Sequence, residues 1–166
     1  MSVIVHLGNA ANTATFSTVD TLTSGAGADT IALTGAITNA SIDLGAGSDT
    51  LTFANGANSA TVANTETVTG GSGADTVTLG SALTAAMSVD LGGGSNKGSN
   101  KLTLANVANT GTLSNVQSLV GGTAADTVTL GTAIAAGSID LGAGSDTLTF
   151  ANGANSATVA LSLIHI

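Results

Sequence analysis

Residues 41–63 read SIDLGAGSDTLTFANGANSATVA, and residues 138–160 read the same 23 residues without a change, an offset of 97. A chain that repeats itself in this way folds as stacked copies of a small unit, each unable to bury its own apolar face alone. SGAGADTIAL from Ser24, GGSGADTVTL from Gly70 and GGTAADTVTL from Gly121 open three units and split the offset into 46 and 51. The middle unit is longer by one residue before Met87 and four in the doubled GSNKGSNK. Leu7 to Gly25 aligns with Phe53 to Gly71 at the same offset of 46, so residues 1–23 form a partial unit and the sequence begins in mid-repeat. The array is expected to span residues 1–160 as one domain.

Each unit contains a half-repeat. Gly-rich turns end in Asp or Asn at Asp29, Asp49, Asp75, Asn96 or Asn100, Asp126 and Asp146, with spacing that alternates near 20 and 26. After each turn the pattern is Asp-Thr-apolar-Thr-apolar, as in Asp49-Thr50-Leu51-Thr52-Phe53, which is the period-two alternation of a half-buried strand. Aligning the turns gives apolar ladders: Ile31, Leu51, Val77, Leu102, Val128 and Leu148, then Leu33, Phe53, Leu79, Leu104, Leu130 and Phe150 two residues on. A third ladder, Leu22, Ile42, Val68, Val89, Leu119 and Ile139, precedes the turns. The frequent Gly and the β-branched Thr, Val and Ile at regular positions disfavour helix. The expected fold is therefore all-β, a parallel β-solenoid of about six coils of 20–26 residues. A winding with 46 residues per coil uses the same ladders.

Composition removes several functions. The net charge is −8, with Lys97 and Lys101 the only basic residues besides two His, so no basic surface exists to meet phosphates, and nucleic acid is not an expected partner. No run approaches a membrane span, and MSVIVHLG is too short and uncharged for a signal peptide. His6 has no ligand-spaced partner. No Ser-His-Asp, Cys-His or unique paired-carboxylate arrangement stands out, which points away from an enzyme.

GGSGADTVT, LGAGSDTLT (at Leu44 and Leu141), SGAGADTIA and GGTAADTVT together resemble the repeat regions of haemolysin-type (RTX) calcium-binding proteins and their large bacterial surface relatives. The resemblance covers most of residues 20 to 160. It implies calcium-loaded β-rolls in proteins secreted by type I systems, hence a secreted or cell-surface location, and a role as scaffold, spacer or adhesive stalk beside a separate domain. Host or matrix ligands would be met by such missing domains. The metal positions it implies are Asp29, Asp49, Asp75, Asp126 and Asp146, with Gly25, Gly27, Gly45, Gly47, Gly71, Gly73, Gly142 and Gly144 turning carbonyl oxygens inward. Asp supplies the charged oxygen that a hard ion such as Ca²⁺ prefers. The alternative is a plain corner, in which Asp caps its own backbone amides.

The family packs its nonapeptides head to tail, whereas here other residues separate them. Ala124 in place of a motif Gly, and Asn96 or Asn100 in place of Asp, mark those two sites as weak or empty. With the five Asp stacked on one edge, mutual repulsion would couple calcium to folding. Asp43, Asp90 and Asp140 alternate with apolar positions and should face solvent.

A second function class is an ice-binding face. Thr50-Leu51-Thr52, Thr76-Val77-Thr78, Thr127-Val128-Thr129 and Thr147-Leu148-Thr149 resemble the Thr-x-Thr arrays of solenoidal antifreeze proteins, though Ala32 and Lys101 interrupt the series. The end, LSLIHI at residues 161–166, departs from the NTETVTGG that the repeat predicts after Ala160. It looks like the in-frame translation of a sequencing-library adapter, and is expected to lie outside the fold.

Overall fold

The structure, a computed structural model, describes residues 2–93 and 99–162. In chain order the strands are β1 (Ile4–His6), β2 (Thr13–Phe16), β3 (Thr21–Thr23), β4 (Thr30–Leu33), β5 (Ala40–Asp43), β6 (Thr50–Thr52), β7 (Ser59–Ala63), β8 (Thr67–Thr69) and β9 (Thr76–Leu79). They continue as β10 (Ser88–Asp90), β11 (Lys101–Thr103), β12 (Thr110–Ser114), β13 (Ser118–Gly122), β14 (Thr127–Leu130), β15 (Gly137–Ala143), β16 (Thr147–Thr149) and β17 (Ala157–Ser162). The nine odd-numbered strands form one sheet and the eight even-numbered strands the other, each in sequence order. Every pairing is parallel. The chain thus winds as a two-sheet parallel β-solenoid, with an odd and an even strand in every coil.

The register fixes the coil. Ile4, Thr21, Ser41, Thr61, Thr78, Thr103, Val120, Asp140 and Ala160 lie over one another, giving eight coils of 17, 20 or 25 residues. This excludes 46 residues per coil and adds two coils to the expected six. The extra coils come from corners that carry no Gly-x-Gly-x-Asp signature, among them LGNAAN, FANGAN and LANVAN.

Strand count explains the geometry of the repeat. The unit opening at Ser24 contributes β4 to β8 and the unit opening at Gly70 contributes β9 to β13, five strands each. Two strands make a coil, so each unit advances two and a half coils and sets its successor on the opposite sheet. Two units, 97 residues, return to the same sheet after five coils.

The core follows from this. Ile31, Leu51, Val68, Val89, Leu113 and Leu130 stack on the even sheet. On the odd sheet Ala60, Val77, Leu102, Leu119 and Ile139 form a facing rank, and Leu22, Ile42, Val62 and Leu79 another. All are buried, and outward Thr and Ser alternate with them. The ladders drawn from turn alignment need correction here. Leu51 and Val77 are not stacked, because Val68 follows Leu51 and Val77 lies on the other sheet. Coil spacing of about 4.8 Å lets Leu, Ile and Val reach the coils above and below, which supplies packing without large aromatics.

Candidate metal centre

Two edges join the sheets, and polar side chains are buried along both. On the edge that leads into even strands, Asn12 N–H donates to Asp29 Oδ1 (2.7 Å), Asp29 N–H to Asp49 Oδ1 (2.7 Å) and Asp49 N–H to Glu66 Oε2 (2.8 Å). Further along the same edge Asn109 N–H donates to Asp126 Oδ1 (3.0 Å), and Asp126 N–H to Asp146 Oδ1 (2.9 Å). The opposite edge carries Asn58 N–H to Asp75 Oδ1 (3.0 Å), Asp75 N–H to Asn100 Oδ1 (2.9 Å) and Asn100 N–H to Gln117 Oε1 (3.1 Å). Each side chain accepts the amide of the preceding coil, a bond that satisfies a buried N–H and pins the register.

The five aspartates therefore do not share one edge. Asp29 and Asp49 are neighbours, as are Asp126 and Asp146, while Asp75 sits on the far edge between Asn58 and Asn100. The half-integral winding is the cause. Asn100, not Asn96, takes the Asp position of the middle unit; Asn96 lies outside the described residues. Asp43, Asp90 and Asp140 are on strands, the first two half-buried and the third exposed, and each accepts the N–H of the glycine two residues on, Gly45, Gly92 and Gly142.

The predicted glycines divide in two. Gly45, Gly47, Gly142 and Gly144 have positive φ, and at Gly45 (φ 84°) a Cβ would also overlap the Gly25 carbonyl of the coil below. Gly25, Gly27, Gly71 and Gly73 are not in the left-handed region; there glycine serves close stacking, as at Gly73, whose Cβ would overlap the Gly56 backbone.

The Asn turns were missed by sequence reading, and they show what an edge position requires. Asn58 Nδ2 donates to the carbonyls of Ala54 and Gly56, both 2.9 Å, and Asn109 Nδ2 to those of Ala105 (2.9 Å) and Val107 (2.6 Å). Asn12 and Asn155 repeat the bonds to residues four and two before them. An Asp at this position brings no donor, and the residues four and two before it are the motif's Gly-x-Gly. Recurrence of Asn-x-Ala-Asn in NAAN, NGAN and NVAN was the available signal.

The electrostatics separate otherwise similar aspartates. Burial pushes the Asp49 carboxyl up from 3.8; the charges of Glu66 and Asp29 add to that, and the Asp29 N–H opposes it. Burial also pushes Asp29 up, yet hydrogen bonds from the Ser24 hydroxyl and the Asn12 amide and N–H outweigh it, leaving the group below its ordinary value. Asp49 is 1 % exposed and Asp126 fully buried, and Oδ2 of each has no hydrogen-bond partner. A buried carboxylate oxygen without a donor is costly. These two oxygens fit a hard cation: each belongs to a buried carboxylate, and no protein donor competes for it. Among the described residues no three His, Cys, Asp or Glu cluster together, so carbonyl oxygens would complete any such shell.

Comparison with known proteins points to the same ion, though the matched segments hold other turns of the array. The family model of the RTX calcium-binding nonapeptide repeat (4 copies) matches residues 16–33 and 63–81, the segments that contain Asp29 and Asp75. No curated protein and no solved structure matches the chain. RTX nonapeptide repeats bind calcium ions, and this chain carries an RTX-type repeat region.

Proposed function

We propose that the chain is a calcium-stabilised structural segment of an exported bacterial surface protein or adhesin, a stiff spacer rather than a catalyst. The observation that carries this reading is the pair of buried carboxylate oxygens on Asp49 and Asp126, left without donors in an edge otherwise closed by hydrogen bonds. The turns that end in the aspartates at 29, 49, 75, 126 and 146 are the places where the repeat offers a carboxylate and turn carbonyls to an ion. Calcium supplies the positive charge that lets these carboxylates be buried side by side. The secreted or surface location rests on what RTX repeats commonly serve, and ligands of any adhesive activity belong to other parts of such a protein. The test is β-sheet circular dichroism and melting of the full chain in millimolar Ca²⁺ and in EDTA. A higher melting temperature in calcium supports the reading, and equal melting in both removes it.

One observation favours a second reading. Thr13, Thr30, Thr50, Thr67, Ser88, Thr112, Thr129 and Thr149 form one unbroken outward rank on the even sheet. Lys101, expected to interrupt the Thr series, lies on the other sheet. Hydroxyls and methyls repeating about every 4.8 Å on a regular face suit an ordered water lattice, although Thr also suits any strand. Thermal hysteresis of the purified chain decides this; none at millimolar protein rules out ice binding.

A further inference from the structure

The three units meet the same edge requirement with different chemistry. In the coils closed by Asn58 and Asn109, the side-chain amide lies among three oxygens. Two are the carbonyls described above, and the third is a carboxylate of the next coil, Asp75 Oδ1 at 2.8 Å or Asp126 Oδ1 at 2.9 Å. A cluster of three oxygens around one positive hydrogen donor is also the arrangement that a cation selects. Where Asp replaces Asn, the donor vanishes and an oxygen takes its place.

Asp29 and Asp126 occupy equivalent positions 97 residues apart, on the same edge. In the first unit the Ser24 hydroxyl donates to Asp29 Oδ2. In the third unit Gly121 stands where Ser24 would be, and Asp126 Oδ2 has no partner; a Cβ on Gly121 would come within 2.8 Å of that oxygen. That Cβ would also overlap the Leu141 carbonyl oxygen, so no serine hydroxyl can stand there without a backbone shift, and Oδ2 is left without the donor that the first unit supplies. Asp49 is the equivalent of Asn100, whose Nδ2 donates to the carbonyls of Leu91 (2.9 Å), Gly92 (3.3 Å) and Asn115 (2.9 Å). At Asp49 an unpartnered oxygen replaces that amide.

We propose that the amides of Asn58 and Asn109 stand in the cation positions of their coils and that Ser24 relieves Asp29, as the Gly71 N–H (3.3 Å) relieves Asp75 Oδ2, so that calcium settles in the turns ending in Asp49 and Asp126, the two with a buried unpartnered oxygen. The assignment rests on the calcium reading above. It moves the ions away from the motif-matched Asp29 and onto Asp126, which its missing motif glycine had marked as weak.

Equilibrium dialysis of the full chain with radiolabelled calcium, at neutral pH, counts the ions. Asp126→Asn should bind one ion fewer than the unaltered chain, and Asp29→Asn the same number. Asn109→Asp and Ser24→Ala should each bind one more. An unchanged count in Asp126→Asn, or one ion lost in Asp29→Asn, overturns the assignment while leaving the calcium reading intact. No calcium on the unaltered chain defeats both. Should Asn109→Asp fail to fold even in calcium, Ser24→Ala carries the gain-of-site arm, and no added ion there counts against the proposal.

Discussion

Replacing Asp49 by Asn should stabilise the calcium-free protein. The carboxylate is buried, Oδ2 has no donor, and carboxylates of neighbouring coils lie on both sides at Asp29 and Glu66. Asn retains an oxygen to accept the Asp29 N–H and offers an NH₂ to the turn carbonyls, as Asn58 does. Leaving a buried acceptor unsatisfied costs about 1–3 kcal/mol, more when it is charged, so Asp49→Asn should recover about that much in EDTA. For a chain of this length that is a rise in melting temperature of roughly 2–12 °C.

Acid should narrow the difference. Asp49 holds its proton more tightly folded than unfolded, so its ionisation costs wild-type stability as pH rises from 3.8 through the raised folded value, and lowering pH through the same window restores it. The assay is thermal unfolding followed by circular dichroism, in EDTA, at neutral and mildly acidic pH. In calcium the ranking should invert, because Asn cannot supply the charged ligand. If Asp49→Asn melts below wild type in EDTA, the carboxylate is satisfied by something outside this account and the argument from Oδ2 fails.

Four further substitutions test the fold. Ala136 has φ 53° where the first unit has Asn39 at 54°, so Ala136→Asn should stabilise by about 0.5–1 kcal/mol, read as a higher urea midpoint at unchanged slope; an unchanged midpoint contradicts the strain. Leu102 is fully buried in the middle of the array, and Leu102→Ala should cost about 2–5 kcal/mol, whereas Val107→Ala, at a side chain 48 % exposed, should cost under about 0.5 kcal/mol in the same urea series. Gly45→Ala must place a Cβ against the Gly25 carbonyl at positive φ, and should lower the melting temperature by more than about 4 °C; tolerance of the methyl would mean the coils stack less closely there.

Much of the architecture was legible in the residues because the hydrophobic pattern has a period of two and the turns recur. That pattern identifies parallel strands, and the 97-residue duplication identifies a solenoid. The winding was not legible. Asp29 and Asp75 have the same sequence context, and only the count of five strands per unit puts them on opposite edges. That count depends on turns such as FANGAN, whose Asn closes the corner through its own amide and so lacks the Gly-x-Gly-x-Asp mark. The same blindness affects the site. Motif matching ranks Asp29 above Asp126, yet one hydroxyl at Ser24 reverses their need for an ion, and a change from Gly to Ser five residues away carries no weight in a consensus. The terminal LSLIHI remains an expectation: β17 runs to Ser162, which pairs with Ala143, and residues 163–166 lie outside the described residues.

The most direct measurement is a crystal structure of the full chain grown in calcium, with anomalous diffraction recorded at a wavelength where calcium scatters strongly. Anomalous peaks are expected beside Asp49 Oδ2 and Asp126 Oδ2, and none at the amides of Asn58 and Asn109. Peaks at the Asn turns, or no peak beside either aspartate, would contradict the assignment.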